Sequence, residues 1–321
     1  MAMRRTVALL GALACSAALA QSYPNRAVKV IVPWTPGQAT DIAARVVAQK
    51  LQDALGQAFV IDNKPGAGGA IGTEAVVKSA PDGYTLLAAS SGPISIMRHL
   101  QKVPYEPLTD LAPVSLVALT PFALVVHPSF PAADAKEFIA MIKAAPGKYT
   151  FSSSGTGATA HLFTELFNSM AEIHGVRHVP YKGSAPALTD IMNGEITYTL
   201  ETVAATAPHI KAGRLKTYGI STAQRSAALP DVPPLAESAG LPRYDIAAWI
   251  GYAAPAGTPR DIVARLSAEI RNALQAQDLK ARMTNIGLDA MSSTPEEMAA
   301  FMRREQDRYG AIIKAANIRI E

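Results

Sequence analysis

Several short segments of this chain combine residue types that suit the capture of small anions. Thr35-Pro36-Gly37-Gln38-Ala39-Thr40-Asp41 and Pro65-Gly66-Ala67-Gly68-Gly69 each follow an apolar run and precede a helical pattern. Glycine lets the backbone turn sharply and approach a ligand. The free N–H groups and positive dipole end of a helix start attract a carboxylate without a cationic side chain. Ser154-Gly155-Thr156-Gly157-Ala158-Thr159 is a hydroxyl-rich turn of the same kind, with His161 just beyond it, and Lys182-Gly183-Ser184-Ala185 follows another strand pattern. Ser90 and Ser91 end a third, and Glu201 a fourth. Each has a plainer reading: linking glycines, helix caps at Thr156 or Thr159, a solvated Lys182, a packed His161, a capping carboxylate.

Catalytic and cofactor patterns do not emerge. There is no Gly-x-Ser-x-Gly elbow and no His-Glu-x-x-His helix. His174 and His178 are spaced for one helix face, but Gly175 and Pro180 break any helix there, so no metal site is expected. From Gly66, a dinucleotide fingerprint needs glycine where Ile71 stands, and Gly69-Ala70-Ile71 is not a phosphate-binding Gly-Lys-Ser/Thr, so no cofactor is expected. A hydrolase or isomerase built on Ser154, His161 and Glu201 is the competing reading from a different class, and it lacks a visible nucleophile-base pair.

The elements that position these residues alternate short β-branched runs with helical patterns, which predicts an α/β fold with mainly parallel sheets. Strands are expected at 28–34, 58–62 and 84–90, with a helix capped by Thr40 or Asp41 and ended by Gly56. A strand over 119–126 then leads to a second set: helix 134–144, strand 149–154, helix 159–170, strand 177–181, helix 185–192, strand 196–201, a helix ending at Lys211 and strand 215–222. A strand at 246–254 returns the chain, and helices over 259–275 and 295–315 finish it. Three turns in each set follow strand ends, where open α/β sheets collect ligands.

Arg4 and Arg5, the apolar Val7 to Leu19 and the small-residue site Ala18-Leu19-Ala20 read as an export signal cleaved near Ala20/Gln21, which implies a periplasmic protein. A twin-arginine signal is the less apt reading, and so is a lipid-modified Cys15, the sole cysteine. About 300 mature residues suggest two domains, expected at 21–122 plus 249–321 and at 123–248. The formal charge of +4 falls to +2 once the two signal arginines are removed, which gives no case for nucleic acid. A monomer is expected.

The segments VPWTPGQATDIAAR, NKPGAGGAIGTEAV, APDGYTLL, FSSSGTGATAHLFTELF, VPYKGSAPALTDIMNGE, PHIKAGRLKTYGIST, LPDVPPLAESAG and APAGTPRDIVARL, taken in order, resemble the Bug-type extracytoplasmic solute receptors. These are the periplasmic components associated with tripartite tricarboxylate transporters. The resemblance covers nearly all of the mature chain. It implies a type II periplasmic binding protein-like fold, two α/β domains joined by crossover strands around a ligand cleft. The ligand is then a small carboxylate, and the partner is a pair of permease subunits or, alternatively, a membrane sensor kinase. In such receptors the turns at 35–41 and 66–69 hold one carboxylate, and 154–159 with 182–185 hold the other end. The chain departs from the family at Gln38, where a second glycine is usual, and at Glu201, where aspartate is usual. The longer Glu201 points to a ligand with an amine or hydroxyl, or to a smaller one.

Overall fold

The computed structural model describes residues 23–315 and 317–319. The export signal, Cys15 and the cleavage point lie outside the described residues. The first sheet is built on β1 (Val28–Val32), flanked in parallel by β2 (Phe59–Asn63) and β3 (Thr85–Ser90). Val28, Val30 and Val32 enter one core cluster while Ile31 enters another, so successive side chains bury on opposite faces. Helix α1 (Ala39–Leu55) connects β1 to β2, and α2 (Ala70–Val77) connects β2 to β3. Gly56 ends α1 in the left-handed conformation, as expected, but the start differs. The N-cap is Gln38, and Thr40 and Asp41 lie within the first turn.

The segment read as one strand over 119–126 is two strands in different sheets. β4 (Leu111–Thr120) belongs to the first sheet and β5 (Phe122–Val126) to the second. Pro121 separates them, because proline has no N–H to continue a ladder. The second sheet repeats the plan of the first. After α3 (Ala135–Ala144), β6 (Thr150–Ser153) is flanked in parallel by β7 (Arg177–Pro180) and β8 (Tyr198–Thr202). Helices α4 (Thr159–Met170) and α5 (Ser184–Met192) make the connections, and α6 (Val203–Lys211) leads to β9 (Lys216–Ile220). β5 lies antiparallel between β8 and β9. In the same way β10 (Ala248–Pro255) lies antiparallel between β3 and β4.

The two sheets therefore share one strand order: β2-β1-β3-β10-β4 in the first and β7-β6-β8-β5-β9 in the second. Sheet membership changes between Thr120 and Phe122 and again between Ile220 and Ala248, and Ala248 pairs with Thr120, so the two crossings run side by side. Beyond β10 come α7 (Arg260–Gln275), α8 (Gln277–Asn285), β11 (Asp289–Ala290), which extends the first sheet beyond β4, and α9 (Pro295–Ala315). Pro295 opens α9 as expected, whereas Pro259 is the N-cap residue of α7 and not its first helical residue. α9 spans both cores. Met298 and Met302 pack with Trp249 beside the first sheet, and Tyr309 and Ile313 pack with the second-sheet cluster that includes Phe163.

Candidate ligand-binding site

The repeated topology brings six strand ends together. The turns after β1 and β2 face those after β6 and β7 across a cleft of about 470 Å³, and the ends of β3 and β8 line an adjoining chamber. Thr35, Gln38, Gly66, Ala67, Gly68 and Gly69 line it from the first sheet, and Ser154, Gly155, Thr156, Lys182 and Gly183 from the second. The two sides touch. A Cβ on Gly183 would stand 2.4 Å from Thr35 Oγ1, and one on Gly157 would stand 2.4 Å from Met97 Sδ. Both glycines have positive φ, 117° and 74°, so the backbone and the space call for glycine together.

The cleft shares Trp34, Gln38 and Ser154 with a deeper chamber of about 40 Å³. Ala39, Thr40 and Ser90 line the chamber from the first sheet, and Thr159, Ser184 and Glu201 from the second. Its remaining walls are the two crossings themselves, Thr120 and Phe122 on one and Ala248, Trp249 and Ile250 on the other.

Helix starts dominate this surface. α1, α2, α4 and α5 begin at Gln38, Gly69, Ala158 and Gly183, and none of the four has a side-chain cap. Thr156 and Thr159 do not cap α4 as the plainer reading supposed. Elsewhere the pattern is mixed: Asp134 accepts from the Glu137 N–H on α3, Thr294 and Glu297 exchange bonds at the start of α9, and α7 and α8 have no side-chain cap. What distinguishes the cleft is that four such starts meet there from both sheets, where their N–H groups favour an anion.

Other residues singled out from the sequence brace the turns without lining the cleft. Asp41 accepts from the Gly37 N–H at 2.9 Å, from Arg45 Nε at 3.0 Å and from Asn63 Nδ2 at 2.9 Å. Burial alone would raise its pKa, but the bonds from Arg45, Gly37 and Asn63 outweigh that and hold it below the ordinary value. Pro36 and Gly37 complete that turn behind the wall. Ser91 Oγ accepts from the Trp249 N–H at 2.7 Å, while its neighbour Ser90 accepts from Trp34 Nε1 at 2.8 Å, so the pair at the end of β3 anchors both tryptophans. Ala158 is the N-cap of α4, and Ala185 lies in the first turn of α5.

His161 is buried below the α4 turn, where its Nδ1 accepts from the Gly157 N–H at 3.2 Å. Its ring stacks on His178 with centroids 4.0 Å apart. Burial pushes its pKa down to about 3, with the neighbouring His178 contributing, and burial likewise pushes His178 down to about 4. His178 meets the hydroxyl of Ser153, not that of Ser154, at 2.7 Å. The Ser154-His161 pairing that a hydrolase would need is not formed.

Glu201 is fully buried on β8. Its Oε1 accepts from the Thr202 N–H at 2.8 Å and its Oε2 has no partner. Burial raises its pKa, and the Thr202 amide with the nearby Ser184, Thr202 and Ser154 hydroxyls offsets only part of that rise. Lining residues that the sequence does not single out are Trp34, Thr120, Phe122, Ala160, Thr202, Ala248, Trp249 and Ile250. Trp34 stands directly at a strand end, and the Pro121 break could have marked Thr120 and Phe122.

Two sheets of one strand plan, joined by paired crossings and facing each other across strand-end turns, define a type II periplasmic binding protein-like fold, and an anion-favouring cleft between them is the site of a solute receptor. The chain belongs to the tripartite tricarboxylate transporter family receptors, whose model matches residues 43–318. It is 36% identical to Protein BugT of Bordetella pertussis over the full length of both chains. Among solved structures it is similar to a protein of R. palustris with adipate, at 34% identity and a TM-score of 0.89, over 92% of this chain and 99% of that one. It is also similar to MatC of Rhodopseudomonas palustris with bound malate, at 31% identity and a TM-score of 0.84, over 91% and 100% of the two chains. Among the described residues no helix is long and apolar enough to cross a membrane.

Proposed function

We propose that the chain is a periplasmic receptor that captures a small carboxylate-bearing metabolite and passes it unchanged to the membrane permease subunits of a tripartite tricarboxylate-type transporter. Capture is by closure of two lobes, one built on the first sheet and one on the second, about the paired crossings between Thr120 and Phe122 and before Ala248. The carrying observation is the convergence of four helix starts without side-chain caps on one cleft. A carboxylate bridging turns from both sheets satisfies N–H groups on each side at once. It therefore binds the closed arrangement more tightly than an open one and shifts the population toward closure. The adipate and malate held by two relatives are ligands of this chemical kind. His161 is occupied by the Gly157 N–H, and the Ser153–His178 pair lies outside the lining of both cavities, which favours capture over turnover.

The test uses the two tryptophans, Trp34 in both cavities and Trp249 in the chamber wall. Titration of the mature chain, residues 21–321, with dicarboxylates is expected to change tryptophan fluorescence saturably. The bound acid recovered after denaturation is expected to be chemically unchanged. Conversion of the acid on incubation would overturn the receptor reading.

A further inference from the structure

The deep chamber holds a charge pattern that a dicarboxylate alone does not match. Of its lining side chains only Glu201 carries a formal charge. Oε2 of Glu201, Nε2 of Gln38 and Oγ1 of Thr120 are all buried without a hydrogen-bond partner, and the three residues line this one chamber. Each is more than nine-tenths buried.

The groups around Glu201 are donors. The Thr202 N–H, at the start of α6, bonds its Oε1, and the Ser154 and Ser184 hydroxyls stand near the carboxyl. No group of the protein meets Oε2, so this second oxygen is open to a donor on the ligand. A buried carboxyl open on one oxygen is matched best by an ammonium group, which donates to that oxygen and balances the charge that burial otherwise disfavours. None of the lining side chains provides one. The unpaired amide of Gln38 and the open start of α1 beside it are donors for an anion on the opposite side. At about 10–15 Å³ per water-sized group, the chamber of about 40 Å³ has room for about three heavy atoms, enough for an ammonium nitrogen and its carbon beside Glu201 while the carboxylate lies where chamber and cleft join at Gln38.

We infer that the ligand is a zwitterionic amino acid whose ammonium group pairs with Glu201 while its α-carboxylate takes the donors of Gln38 and the α1 start, the side chain extending into the outer cleft. This rests on the carboxylate-capture reading and specifies it. Gln38 and Glu201 then serve as a pair: one provides the donor for the carboxylate and the other the counter-charge for the amine.

Calorimetric titration of the mature chain with matched acids tests this: succinate, malate and aspartate, then adipate and 2-aminoadipate. The amino member of each set is expected to bind tightest. Glu201→Gln is expected to weaken that member by roughly a hundredfold, the loss typical of leaving a buried charge unpaired. Affinity for the acids without an amine should be unchanged or improved in the same variant. If the acids without an amine bind and the amino acids bind no better, the inference fails while carboxylate capture stands. Retention of the amino preference in Glu201→Gln also overturns it. If none of these acids binds, both readings fail together. Because the comparison among acids is made on the unaltered chain first, a poorly folded variant cannot mask the outcome.

Discussion

Glu201 and Asp41 show how two buried carboxyls in one molecule acquire opposite roles. Asp41 is enclosed by donors and a guanidinium, and its depressed pKa means that its contribution to stability is present above the unfolded carboxyl pKa and is lost as pH falls through the folded value. Asp41→Ala is expected to cost about 2–3 kcal/mol in urea unfolding at neutral pH, since it orphans the Gly37 N–H and Arg45. Glu201 has the opposite sign. Its raised pKa means that the folded state is favoured below the unfolded pKa and loses that advantage as pH rises through the folded one. Without ligand, Glu201→Gln is therefore expected to stabilise the fold by about 1–2 kcal/mol at neutral pH by removing a buried charge. A variant that melts below the parent would show that the carboxyl is structural.

At the scale of elements, the turns are braced from behind, and the brace can be tested apart from the ligand contacts. The His161–His178 stack under the α4 turn is neutral at neutral pH. Because the folded pKa values lie near 3 and 4, below the unfolded imidazole value, their stability contribution is full above about pH 6.5 and is lost as pH falls toward 4. Melting temperature is expected to drop across that window, and His178→Phe is expected to flatten the drop. On the facing turn, Gly183→Ala sets a methyl group against Thr35 Oγ1. Affinity for carboxylates is expected to fall about tenfold or more, a cost of about 1–3 kcal/mol for forcing a group into a packed contact.

The glycine and hydroxyl turns were legible in the sequence because turn chemistry is local. The same holds for the alternation of strands and helices, since α1, α4 and most strands fall where hydrophobic spacing places them. The crossings were less legible. An apolar run through Pro121 reads as one strand until tertiary pairing assigns its halves to different sheets. Thr120, Phe122 and Trp249 enter the chamber through pairings between residues far apart in sequence, Thr120 with Ala248 and Phe122 with Thr202. His161 has two readings in the sequence, a cleft residue or a packed one, and packing decides for a buried support under the α4 turn. The polar helix α8 was missed because it buries little beyond Leu279 and Met283.

Across the whole molecule, both sheets have one strand order, and each receives an antiparallel strand next to a crossing, β5 after the first and β10 after the second. A ligand in the cleft therefore sits directly above the segments about which the lobes would turn, and a group in the chamber touches both crossings. The central claim is that the cleft recognises a carboxylate through backbone N–H groups at helix starts. Thermal unfolding of residues 21–321 with small carboxylic and amino acids, each paired with its amide, tests it most directly, because a ligand specific to the native state must raise the melting temperature. The account predicts that at least one acid raises it and that the matching amide does not. An amide that stabilises as well as its acid, or a panel in which no acid stabilises at all, would contradict it.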